Sequence, residues 1–161
     1  MNAAHQHLLA NHLPVLGTLF CAALLAVALF LRDVRFQRIS FAFLVLVALG
    51  GAIAFRTGDE AADLVERLGL PGFPERAIHE HEEAAEAAYL LMNGIGVACF
   101  MALLFFRKAT DPPPWASLAI LLLTLIAFGL FVRASWLGGQ IRHTEIRSTA
   151  VLSHPTEERG T

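Results

Sequence analysis

Trp115-Ala-Ser-Leu-Ala-Ile-Leu-Leu-Leu-Thr-Leu-Ile-Ala-Phe-Gly-Leu-Phe-Val132 is a run of 18 residues without one charge. At about 1.5 Å of rise per residue a helix of this length nearly crosses a bilayer's ~30 Å of hydrocarbon. Three further charge-free runs, Leu13–Leu31, Ile39–Phe55 and Ala87–Phe106, are of similar length. A soluble bundle would carry charge on the outer face of every second or third turn. The composition, 56% hydrophobic and 16% charged, is that of a membrane protein. These runs predict an all-α bundle of four transmembrane helices at about 13–31, 39–56, 75–107 and 115–137, in one domain over residues 1–148 with a polar tail at 149–161.

Short connections pair the helices. Arg32–Arg38 joins the first two and Arg107–Pro114 the last two, giving two hairpins. The longer acidic link between them holds Ala61, Leu64, Val65 and Leu68 at helical spacing, followed by Gly69, Pro71, Gly72 and Pro74. This predicts a short amphipathic helix over the outer mouth of the bundle. Pro74 suits a first helical turn, so the third helix is expected to start well outside the hydrocarbon. No Lys or Arg precedes the first run, and Arg32, Asp33 and Arg35 follow it, so it is expected to be a retained span and not a cleaved leader.

Arg32, Arg35, Arg38, Arg107 and Lys108 lie in the two short turns, which the positive-inside bias places in the cytoplasm. The expected location is a bacterial inner membrane with both termini periplasmic. Cys21 and Cys99 fall inside spans and read as packing residues. A net charge of −2 leaves no footprint for nucleic acid. Gly94-Ile-Gly96 lies within a span, so it is not a nucleotide loop, and no nucleophile elbow is present. An independent enzyme is not expected.

Six of the seven histidines, His5, His7, His12, His79, His81 and His143, fall at the same end of the four spans. A b-type haem needs axial ligands, often two histidines from different helices, an apolar slot, and cations or donors near its propionates. Candidate axial ligands are His7, His12, His79, His81 and His143. Arg133 and Arg142 are candidate propionate partners, and Glu83 or Glu86 could orient a ligand imidazole. Gly17, Gly94, Gly96 and Gly129 are expected to open room between helices. The absence of Cys-x-x-Cys-His from the sequence excludes covalent c-type attachment.

On helix three, His79, Glu86 and Asn93 recur every seven residues, and this polar face is expected to turn toward other helices. On helix four, Arg133, Trp136, Gln140 and His143 share a face if the helix survives Gly138-Gly139. A metal ion held by His79, Glu83 and Glu86 is the competing site, suited to zinc, copper or iron. The halves also echo each other: His5-Gln-His7 precedes one hairpin and His79-Glu-His81 the other, while Gly50-Gly51 and Gly138-Gly139 lie near their ends.

The entry segment His7-Leu-Leu-Ala-Asn-His12-Leu-Pro14 and the exit segment Trp136-Leu-Gly138-Gly139-Gln-Ile-Arg-His143 resemble a family of small four-helix bacterial inner-membrane proteins of unknown function. Its members show two histidines five apart before a proline, a Thr-Gly near the end of the second helix, a histidine before the third, and Gly-Gly then histidine after the fourth. Thr57-Gly58 and His79 or His81 fill the middle positions, so the likeness spans about residues 5–147. The chain departs from the pattern at Gln140 and Thr144, where the family has an acidic residue and a glycine. The resemblance implies the four-helix topology, with haem binding suspected as the family's role. It carries over to His7, His12, His143 and one of His79 and His81.

The expected function is a membrane-embedded electron-transfer subunit, cytochrome b-like, with haem b near the periplasmic face. Its expected partners are lipid and other subunits of a respiratory or photosynthetic assembly, or a second copy of the chain. The alternatives are a cofactor-free accessory subunit and a periplasm-facing metal site.

Overall fold

The computed structural model describes residues 3–68, 75–106 and 111–143. They form five helices: α1 (Ala3–Ala10), α2 (His12–Phe30), α3 (Val34–Leu68), α4 (Glu75–Phe105) and α5 (Pro114–Arg142). No strand occurs among the described residues. Helices α2 to α5 are arranged in a ring, each packed on its neighbours in chain order, with α5 closing against α2 and α1 lying on α3. This is the four-helix bundle the sequence predicts.

Local chemistry sets the ends. Pro14 has no N–H to offer the Ala10 carbonyl, and the chain breaks there into α1 and α2 at Asn11. Arg32 leaves α2 in the left-handed region, at φ 53°. Asp33 then starts α3 by accepting from the backbone N–H groups of Arg35 (2.8 Å) and Phe36 (3.2 Å). The amphipathic stretch Ala61–Leu68 is helical as expected, but it continues α3 without a break. Gly58 alone weakens a helix by only about 1 kcal/mol, too little to divide one that packs along its length. The stop at Gly69–Pro74 lies outside the described residues. Helix α5 runs through Gly138-Gly139 to Arg142.

Four helices are long and apolar enough to cross a membrane. Their outward faces carry Leu16, Leu49, Leu90, Val97, Leu122 and Ile126, all exposed. Such a surface is stable against lipid and not against water, and the chain is a multi-pass membrane protein. Exposed Trp115 and Trp136 lie at opposite ends of α5. The rise between them is about 30 Å, the thickness of the hydrocarbon, and they sit where interfacial tryptophans belong.

The core changes character along the bundle axis. Leu25, Phe41, Leu44, Ile95, Cys99 and Ile120 fill its inner part, whereas toward the histidine end the buried residues include Gly51, Ala54, Ala84, Ala88 and Ala134. Close helix approach uses two of the glycines expected to open room: a Cβ on Gly17 would meet Val47 at 2.7 Å, and one on Gly96 would meet Ala48 at 2.5 Å. Gly94 and Gly129 face outward. The expected slot is therefore not at these four positions. At Gly51, which is buried, an added Cβ would meet nothing within 4 Å.

Polar groups inside the spans are satisfied locally. Thr18, Ser40, Thr57 and Thr124 donate to carbonyls one turn back. At the end away from the histidines Ser117 Oγ donates to Gln37 Oε1 at 2.8 Å, both buried, tying α5 to α3 across the ring. Arg38 donates to the Phe106 carbonyl at 2.8 Å and pairs with Asp111 at 3.5 Å.

Candidate functional site

Two histidines are tied into neighbouring helices at one mouth of the bundle. His7, on α1, places Nδ1 3.0 Å from the carbonyl oxygen of Ala54 on α3. His81, on α4, places Nδ1 2.8 Å from the carbonyl oxygen of Ala134 on α5. A carbonyl can only accept, so in both rings Nδ1 carries a proton, and in a neutral imidazole that leaves the lone pair on Nε2. Histidines that ligate metals are commonly oriented in this way, the second ring nitrogen donating to a carbonyl.

Each ring also lies against a glycine one turn beyond its carbonyl partner. A Cβ on Gly58 would come within 3.1 Å of His7 Cε1, and a Cβ on Gly138 within 3.0 Å of His81 Cε1. Both imidazoles are half-buried. They are close enough that the charge of His81 acts on His7, as does that of Asp59.

His7 lies near the start of the apolar helical stretch Ala4–Phe30, and Asp59 lies on the outer part of Val34–Leu68 nearest the histidines. His7, Asp59, His81 and Glu86 form one electrostatically connected group at the mouth.

The other candidates are placed differently. His12 is exposed and pairs with the neighbouring Asn11 side chain. His79 is exposed and lies 3.2 Å from exposed Glu83, one turn along α4. Glu86, Arg133 and His143 are exposed, and the side chain of Arg142 is outside the described set. Among the described residues no three His, Cys, Asp or Glu side chains are arranged to hold a metal ion.

The face of α4 carrying His79 and Glu86 turns outward, against expectation, and Asn93 donates to its own helix at the Tyr89 carbonyl. The buried stripe is His81, Ala84, Ala88, Met92, Ile95 and Cys99. On α5, Arg133 and Trp136 are likewise exposed, while Ala127, Phe131, Ala134 and Leu137 face inward. What sequence reasoning missed are the carbonyls of Ala54 and Ala134 and the hollow at Gly51. The available signal was the spacing Ala-x-x-x-Gly, present at Ala54 and Gly58 and again at Ala134 and Gly138.

The donor set suits a haem iron: two imidazoles from different helices, each with Nδ1 bonded to a carbonyl and Nε2 left to ligate. Comparison of the chain with models of known families, with curated proteins and with solved structures finds no match.

Proposed function

We propose that the protein is a b-type haem-binding electron-transfer subunit of a bacterial inner membrane, with its site at the periplasmic mouth and both termini on that side. The observation that supports this reading is the pair of Nδ1–H bonds from His7 and His81 to carbonyls of two different helices. Bound there, haem iron would supply one-electron exchange between its ferric and ferrous forms. His7 and His81 hold the ligand; Ala54 and Ala134 keep their imidazoles in the ligating tautomer and make Nε2 more basic.

The open space at buried Gly51, one turn before Ala54, favours apolar room at this end of the bundle. Arg133, exposed one residue before Ala134, and Arg142 at the end of the same helix are the propionate partners this reading assigns. The likeness of the His7–Pro14 and Trp136–His143 segments to the four-helix family of unknown function favours the same reading, and its Thr-Gly and Gly-Gly motifs coincide with the glycines under the rings. Electrons would pass to other subunits of a respiratory or photosynthetic assembly or to a second copy of the chain.

The purified protein should show a Soret band and a sharp α-band on reduction. Replacing His7 or His81 with alanine should remove most of the pigment, whereas His12→Ala and His154→Ala should retain it. A colourless wild type free of metal by elemental analysis rejects the haem and supports a cofactor-free accessory subunit. Metal without those bands supports the zinc, copper or iron site.

A further inference from the structure

The imidazole mount is built twice on the same plan. A histidine from one helix bonds an alanine carbonyl on the next, and its ring rests on the glycine four residues beyond that alanine. The first copy uses α1 and α3, the second α4 and α5. In an α-helix the carbonyl of residue i points toward residue i+4, so the glycine lies where a ring bonded to that carbonyl must sit. A methyl group at Gly58 or Gly138 would crowd Cε1 and Nδ1 together, at 3.0 to 3.2 Å. The ring must give way by a few tenths of an ångström, and a shift directed away from the methyl lengthens the bond that fixes its tautomer.

We infer that Gly58 and Gly138 are positioning residues of a duplicated mount that locks His7 and His81 in the Nδ1–H tautomer, so that each would offer its Nε2 lone pair to one haem. This inference rests on the haem reading above and adds to it a function. With both imidazoles ligating, the haem would exchange electrons and would not bind gaseous ligands. Glycine at these places is the poorer helix former, so its benefit lies in the ring contact and not in α3 or α5 themselves.

The test uses full-length protein labelled with ¹⁵N-histidine in detergent, first without haem and then titrated with haemin. Nitrogen shifts distinguish Nδ1–H from Nε2–H rings. Wild type should show His7 and His81 as Nδ1–H, and haemin should give a six-coordinate, low-spin spectrum that does not respond to carbon monoxide after reduction. Gly58→Ala and Gly138→Ala should each lose the Nδ1–H signal of the facing histidine, weaken haemin binding about tenfold, and admit carbon monoxide. Gly94→Ala and Gly129→Ala, whose added methyl meets nothing within 4 Å, should match wild type.

Retention of both Nδ1–H signals in Gly58→Ala and Gly138→Ala overturns the positioning role. Nε2–H rings in the wild type overturn the mount itself. A wild type with the locked tautomers that takes up no haemin refutes the haem reading, and with it the paired axial positions, while the effect of the alanines on the tautomers still decides what the glycines do.

Discussion

At the scale of single residues, the imidazoles at the histidine mouth differ by what holds them. His12 and His79 meet only side chains of their own helix or its immediate start, and both are exposed. His7 and His81 bond backbone of another helix, which fixes ring position as well as protonation.

At the scale of helices, α3 is the organising element, since it packs against α1, α2 and α4. Its approach to α4 depends on Gly96 lying against Ala48. Gly96→Val should force the pair apart and cost about 1–3 kcal/mol, the range for an overpacked core. Thermal unfolding in detergent would register this, and Gly94→Val, with open space around it, provides the contrast. An unchanged midpoint for Gly96→Val would show that α3 and α4 tolerate a wider separation. At the end away from the histidines, a double-mutant cycle on Gln37→Leu and Ser117→Ala should give a coupling of about 0.6–1.7 kcal/mol, as for other interhelical hydrogen bonds in membranes. A coupling near zero would assign α5's position to apolar packing alone.

At the scale of the whole molecule, the histidine end of α3 and α4 bears Asp59, Asp63, Glu66, Glu80, Glu83 and Glu86. The opposite end carries Arg32, Arg35 and Arg38. If the basic end is cytoplasmic, Arg35→Cys should be shielded from a membrane-impermeant thiol reagent in intact cells, and Glu66→Cys should react. Cys21 and Cys99 are fully buried and should stay silent. The reverse pattern would place the histidine mouth in the cytoplasm and exclude a periplasmic electron partner.

The sequence by itself determined the number of spans, the hairpin connections and the gathering of histidines at one end, because charge-free length and the positions of charged turns are one-dimensional quantities. It also displayed the glycines at 58 and 138, though not their purpose. Which histidines are tied to a neighbouring helix was decided only in three dimensions. In a soluble helix the apolar stripe marks the buried face, but in lipid both faces are apolar, so the turn of α4 that buries His81 and exposes His79 and Glu86 has no hydropathy signature. The choice instead follows from small-residue contacts such as Gly96 on Ala48 and from carbonyls at Ala54 and Ala134 that belong to other helices. Those partners lie tens of residues away, and only packing brings them within reach of an imidazole.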